Sequence, residues 1–302
     1  MKENQVEFLE RQRKWIRFFY GLMIVVGVSG VILSIVIEIK YEIEFFSLGM
    51  MISVAVCVLF YLVFVNKKEK AYKGYFKREF VSSVIKGCVS DAVYVPNRGF
   101  SKDMVQESGL IQLGNIFRSE DYVKGTHNNV AFERSDMLIQ QRTSNGKSSS
   151  TVTYLKGRWM IFESNKSFDA DLQIVQKGYS YAKKKKSIFT KKEERRHIIQ
   201  TEDEEFNKEF TCLCQNDAEA FYLLTPGVMQ GIMKLEQELD GKLVIGFVHN
   251  QIHVIVHTNK DSFEPSIWRK IDFQKVAEAA QKEIHVITSF VEGLKLERKI
   301  FE

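Results

Sequence analysis

Residues 18–37 read FFYGLMIVVGVSGVILSIVI, and residues 45–65 read FFSLGMMISVAVCVLFYLVFV. Neither run holds a charged side chain, and 14 of the 20 residues in the first are Phe, Leu, Met, Ile or Val. At 1.5 Å per residue a helix of either length spans roughly 30 Å, the thickness of a bilayer's hydrocarbon core. A helix on a soluble protein keeps a polar face, and neither run offers one. The pair predicts a transmembrane hairpin. The first run is longer than the roughly 7–15 apolar residues of a signal peptide and no small-x-small cleavage site follows it, so it reads as an uncleaved anchor.

The flanks of the runs predict an orientation. Lys2, Arg11, Arg13, Lys14 and Arg17 precede the first, and Lys67, Lys68, Lys70, Lys73, Lys77 and Arg78 follow the second. The loop at residues 38–44 has only Lys40 against three glutamates. The positive-inside rule then puts both termini in the cytoplasm, and the loop is too short to hold a domain. Within the hairpin, Gly30 and Ser34 lie at the same depths as Ser53 and Gly49, counted from the loop. Small residues at facing positions let antiparallel backbones approach closely, so these four are the expected packing contact.

The chain has 302 residues and a formal charge of +5. Three prolines and 18 glycines exclude collagen-like and proline-rich classes. The division expected is residues 1–66, a tail and hairpin, and residues 67–302, a cytoplasmic α+β region. A basic run at 177–200 would split that region into two subdomains.

Residues 67–86 carry Tyr72, Phe76, Phe80 and Val84 at spacing four. This is a helical stripe suited either to an anionic lipid surface or to docking on the rest of the protein. Residues 122–126 and 130–134 flank His127-Asn128-Asn129, a hairpin signal. With residues 137–142, 151–162 and 169–176 they read as an antiparallel meander. Residues 206–214 read as a strand. Thr225-Pro226 starts a helix with Thr as N-cap and Pro in the first turn. Residues 243–257 form a second hairpin with Leu243, Ile245, Phe247, Ile252, Val254 and Val256 on its buried face. A last helix starts at Asp272 with a seam of Ala277, Ala280, Ile284, Ile287, Val291 and Leu294. The fold class expected is α+β, a two-helix transmembrane hairpin followed by an antiparallel sheet with flanking helices.

The chemistry is sparse. His249, His253 and His257 fall on strand sequence with no glutamate at zinc-helix spacing, and read as structural. Cys212 and Cys214 lack a second ligand pair at zinc spacing. There is no phosphate loop and no nucleophile elbow. No catalytic residue, cofactor site or metal site is predicted. Lys183, Lys184, Lys185 and Lys186 are the candidate contact for anionic lipid, and nucleic acid is not an expected partner.

Several short stretches recur in one order: Tyr122-x-x-Gly125-Thr126, Phe132-Glu133-x-Ser135-Asp136, Lys156-Gly157-x-Trp159-x-x-Phe162, Phe206-Asn207-Lys208-x-Phe210, Tyr222-Leu223-Leu224-Thr225-Pro226 and Phe263-Glu264-Pro265. The ordered set resembles the bacterial membrane-protein family known as domain of unknown function 3137. That resemblance implies no reaction, cofactor or catalytic residue. It implies a membrane setting beside LemA-type proteins, and hence a LemA-type or other protein partner. The expectation is a bacterial inner-membrane protein working as a binding or scaffold module, with an enzyme acting on a lipid or membrane-bound substrate as the alternative.

Overall fold

A computed structural model of the chain describes residues 3–42, 46–146, 148–164, 172–182, 196–248, 250–259 and 263–293. The chain divides into two compact units. Unit 1 is Met1–Ser83 with Glu264–Lys275, and unit 2 is Val84–Phe263 with Val276–Glu302.

Unit 1 is helical. α1 (Glu3–Tyr41) has 39 residues, about 58 Å at 1.5 Å per residue. α2 (Phe46–Phe60), α3 (Asn66–Phe76) and α4 (Ser82–Cys88) follow as one continuous helix, joined by single π turns at Tyr61–Val65 and Lys77–Val81. Both helices are long and apolar enough to cross a membrane. Each π turn adds a residue and rotates the faces beyond it.

The residues before the first apolar run are helix from Glu3 on. Leu9 and Ile16 are buried on α1, and Tyr72, Phe76, Phe80 and Val81 on the facing helix. Paired residues follow one antiparallel register. Gln5 donates to Glu79, the Phe8 and Tyr75 rings lie 4.9 Å apart, and the Tyr20 and Tyr61 rings 6.3 Å apart. The aromatic stripe of residues 67–86 is thus a packing surface. Segment Glu264–Lys275 completes it, with the Phe273 ring 5.1 Å from Phe80 and 6.5 Å from Phe76. Glu10 accepts from Ile271 N at 3.3 Å and from Arg13 at 2.6 Å.

Unit 2 is built on one sheet. Its strands are β1 (Val93–Val95), β2 (Ile116–His127), β3 (Val130–Ser144), β4 (Ser149–Glu163), β5 (Leu172–Gln176), β6 (His197–Ile199), β7 (Phe210–Cys214), β8 (Lys242–Val248) and β9 (Gln251–His257). Among the described residues it is nine-stranded, in the order β1-β2-β3-β4-β9-β8-β5-β7-β6. The strand pairings are antiparallel. The helices are α5 (Lys102–Ser108), α6 (Glu204–Glu209), α7 (Asp217–Leu223), α8 (Pro226–Glu238) and α9 (Phe273–Gly293), the last of which belongs to this unit from Val276 on.

The β2–β3 hairpin turns on Asn128 and Asn129, with φ of 47° and 63°, the two left-handed residues that a tight hairpin turn needs. The meander holds for β2 to β4, residues 130–134 and 137–142 both belonging to β3, and β1 adds a strand before it. β5 leaves it, pairing with β7 and β8, while β9 takes the place beside β4. Residues 206–214 are also not one strand. Asp203 accepts from the Glu205 and Phe206 amides at 2.9 and 3.0 Å and starts α6, so the strand begins only at Phe210. An N-cap with two acidic residues in the first turn overrides the apolar pattern. Thr225 caps α8 as expected, accepting from Val228 N at 3.4 Å.

Both faces of the central strands are covered. The predicted inward set of β8 and β9 is buried, and so are Val244, Val248, His253 and Ile255 between them. On one face a core around Val105, Leu110, Ile139, Trp159 and Ile255 is closed by α5 and the residues after it. Gly246 has no room for a side chain because Leu110 sits on it, a Cβ there falling 2.5 Å from the Leu110 methyls. α9 packs on this sheet, with Phe290 5.0 Å from Phe162. Of its predicted seam, Ala280 and Ile284 are buried, while the side chains of Ile287, Val291 and Leu294 lie outside the described residues.

Several polar groups buried inside unit 2 pair with one another. Arg134, only 1% exposed, donates to Asp136 at 2.7 Å and to the Asp121 carbonyl at 3.1 Å, and lies 4.7 Å over the Phe263 ring. Tyr94 donates to Asp121 at 2.5 Å; burial, then the Asp121 charge, pushes its pKa far above the ordinary tyrosine value. Removing one partner of a buried ion pair leaves the other charge uncompensated, at a cost of about 3–5 kcal/mol. Arg134→Ala is therefore expected to lose stability on that scale. Urea unfolding of the detergent-solubilised chain, followed by Trp fluorescence, checks it.

Candidate functional site

The site of interest in unit 1 lies where the apolar runs meet charged sequence. On α1, Lys14, Trp15, Arg17, Phe18, Phe19 and Tyr20 occupy two successive turns. Phe60, Tyr61 and Phe64 face them from the second helix. The Phe19 ring lies 6.4 Å from both Phe60 and Phe64, and Phe60 is 4.9 Å from Phe64. The Lys68 ammonium sits 5.4 Å over Phe19. Trp15 and Phe18 meet edge to face at 5.7 Å, and both are more than half exposed. The result is a collar of rings with cations among them.

Tyr20 is the pivot of the collar. Its hydroxyl donates to Glu69 at 3.0 Å, and its ring packs 5.1 Å from Trp268. Trp268 is brought there by the returning segment and is 57% exposed. Lys14, Arg17, Phe18, Tyr20, Gly21, Ile24 and Trp268 together line a cavity of about 380 Å³. Among the described residues neither Lys14 nor Arg17 has an ion-pair partner. Two unpaired cations three residues apart, beside apolar and aromatic walls, suit a ligand with an anionic head and an apolar body.

The segment is held to α3 by an ion pair. Lys73 Nζ lies 2.8 Å from Glu264 and 3.3 Å from Glu69. Partial burial opposes the ammonium, but the two carboxylates outweigh it and hold the Lys73 pKa above the ordinary lysine value.

Further along the hairpin the small residues meet. A Cβ at Gly30 would overlap Ser53 Oγ, and one at Gly27 would fall 2.8 Å from Cys57 Sγ. Ser34, Gly49 and Ser53 are buried. The Ser34 and Ser53 hydroxyls donate to the carbonyls of Val31 at 2.7 Å and Gly49 at 2.9 Å, so both are satisfied within their own helices. An apolar groove of about 480 Å³, lined by Met23, Gly27, Val31, Val54 and Val58 among others, runs beside this contact.

Sequence reasoning identified the basic flanks but not the collar. Arg13 was counted as a flanking charge, yet it is buried against Glu10. Trp268 lies some 250 residues from its neighbours and carries no local signal. Lys183, Lys184, Lys185 and Lys186 lie outside the described residues, as does His249. His253 is buried, accepting the Trp159 indole N–H at 3.1 Å. His257 accepts from Lys156 N at 3.1 Å, and burial lowers its pKa. Both histidines are structural.

Residues 153–296 match the model of the family described as "Protein of unknown function (DUF3137)". This is the family that the ordered motifs resemble. The matched range runs from β4 through α9, taking in four of the six motifs and leaving the two on β2 and β3 before it. A solved structure titled "crystal structure of the mycobacterial trehalose monomycolate transport factor A, TtfA" is similar at 8% identity with a TM-score of 0.38, over 70% of this chain and 95% of that one. No curated protein matches the sequence.

The close approach at Gly30 generates a test. Gly30→Leu must force the helices apart or displace Ser53, whereas Val31→Leu adds one methylene on another face. The first change is expected to lower the melting temperature of the detergent-solubilised chain by several degrees and the second to leave it nearly unchanged. Equal tolerance would show that the small residues do not set the contact.

Proposed function

We propose that this is a bacterial inner-membrane protein with both termini in the cytoplasm. Its hairpin engages anionic lipid at the collar, and unit 2 serves as a binding or scaffold module. The observation that carries this reading is the cavity holding unpaired Lys14 and Arg17 against Tyr20 and Trp268. Apolar side chains beyond the collar remain open to their surroundings, among them Val25 at 63% and Met51 at 68%. A pair of helices keeps so much apolar surface uncovered only if lipid covers it. Aromatic rings with Lys and Arg at one end are the composition of a membrane–water boundary. On this reading Lys183, Lys184, Lys185 and Lys186 are a second contact with the same anionic leaflet. A LemA-type membrane protein is the partner that the family resemblance points to.

Lipid choice tests the collar. Basic residues near an anionic surface contribute about 1 kcal/mol each, so losing two weakens binding roughly 30-fold. Phosphatidylglycerol added to the full chain in detergent is expected to raise its melting temperature more than phosphatidylcholine does. The Lys14→Gln/Arg17→Gln pair is expected to reduce that difference markedly. Equal responses to the two lipids would overturn the lipid assignment.

Orientation is tested separately. In a chain whose native cysteines have been replaced, Tyr41→Cys is expected to react with an impermeant maleimide on intact cells and Asn145→Cys only after lysis. The reverse pattern would overturn the topology.

A further inference from the structure

Three groups of different chemistry converge at the β6 edge of the sheet. β6 pairs with β7 so that His197 and Cys214 are direct cross-strand partners. Their side chains therefore leave the same face. Directly after Cys214 the chain turns through Asn216, whose side chain accepts from the Ala218 and Glu219 amides at 3.0 and 3.5 Å. That cap sets Asp217 at the first position of α7, back over the strand end. His197 Nε2 then lies 2.5 Å from Asp217 Oδ1. Cys214 Sγ is 3.5 Å from the same oxygen and 4.0 Å from the same nitrogen.

We propose that His197, Cys214 and Asp217 form a binding site for a divalent metal ion of the zinc class. A tetrahedral zinc with one sulfur, one nitrogen and one oxygen ligand needs about 3.4–3.6 Å between ligand atoms, given bonds near 2.3, 2.0 and 2.1 Å. The Cys214–Asp217 separation already has that value, and Cys214–His197 exceeds it by under half an ångström. His197 and Asp217 must move apart by roughly 1 Å, and both are exposed side chains free to do so. A thiolate, an imidazole and a carboxylate together favour zinc, cobalt or another borderline ion over magnesium or calcium, which take oxygen ligands.

The same atoms do not suit a nucleophile. Cys214 and Asp217 meet the same imidazole nitrogen, so the carboxylate does not orient the ring from its far side as a catalytic triad requires. Burial, then the Asp217 hydrogen bond and charge, pushes the Cys214 thiol up to about 12, away from a reactive thiolate. A metal ion reverses that balance. The sulfur–metal bond forms as the S–H bond breaks, and the proton leaves to solvent. Cys214 is buried while its two partners are exposed, so the ion would face outward. Its fourth position would be open to water or to a side chain of a bound protein.

The test uses the full chain in detergent, without a polyhistidine tag and stripped of metal by chelation. Titration with Co²⁺ is expected to saturate at one equivalent, with a sulfur-to-cobalt charge-transfer absorption and release of protons. Zn²⁺ should displace the cobalt. Cys214→Ser should abolish the absorption, and His197→Ala and Asp217→Ala should each weaken binding at least tenfold. His197 and Asp217 are exposed, so their variants keep the test valid if the buried Cys214 change impairs folding. Cys212→Ala should retain the absorption. A chain that gives no charge-transfer band, or one whose band survives Cys214→Ser or is unaltered in both His197→Ala and Asp217→Ala, overturns the site.

Discussion

The constraint on which unit 1 rests is the close approach of two helices at Gly30 and Ser53. A Cβ at Gly30 would overlap Ser53 Oγ, so the two helices come this close only because glycine stands there. Gly30 and Gly27 provide the space that Ser53 and Cys57 fill. Because both helices are continuous, this one contact fixes the pairing of every later turn. Phe19 must meet Phe64, Tyr20 must meet Tyr61, and Phe8 must meet Tyr75. The register is set in the apolar part and read out in the polar part, where α1 begins some 15 residues before its apolar run.

The returning segment Glu264–Lys275 shows what that rigid register is for. Arg13 and Glu10 pair on α1, and Glu10 also caps the Ile271 amide. Lys73, on α3, pairs with Glu264 of the returning segment. Trp268 and Phe273 then have fixed surfaces to pack on, and Trp268 closes one wall of the collar cavity. A pair of helices sliding freely would offer no such seat. The stretch Phe263-Glu264-Pro265 falls where the chain passes from unit 2 into this segment. Phe263 lies under the Arg134 guanidinium in unit 2, and Glu264 is the Lys73 partner in unit 1. Other motif residues are likewise structural. Trp159 is tied to His253, and a side chain at Gly157 would run into the Val256 carbonyl.

The two long helices were legible because an uncharged apolar run of some 20 residues is a local signal, carried by composition alone. α8 was legible for a local reason, its Thr225-Pro226 start. What escaped is non-local. β5 ends up beside β8 because the core of the sheet takes its apolar side chains on both faces, and no property of residues 172–176 says which strand will lie next to them. Residues 206–214 have a strand-like apolar pattern, but the Asp203 cap acts first and takes six of the residues before Phe210 into α6. The collar shares this difficulty. Lys14 and Arg17 are visible as charges, while the ring that walls them in comes from the other end of the chain.

The metal cluster is the sharpest case of the same limit. Zinc sites betray themselves in sequence when two ligands sit on one turn and a second pair repeats the spacing. Cys212 and Cys214 fail that test, and the failure excludes only sites built from such pairs. Here one ligand comes from an edge strand, one from its neighbour, and one from the helix cap that follows. Their proximity is a product of strand register, because a slip of one residue would send His197 to the opposite face. The buried pair Arg196 and Gln173, bonded at 2.8 Å, holds that register from the position next to His197. The arginine donates on to the Gly109 carbonyl at 3.0 Å, and the Gln173 amide to the Leu110 carbonyl at 2.9 Å. A buried network thus anchors the start of a three-residue edge strand that has little else to fix it, and the exposed neighbour of that anchor is the histidine of the cluster.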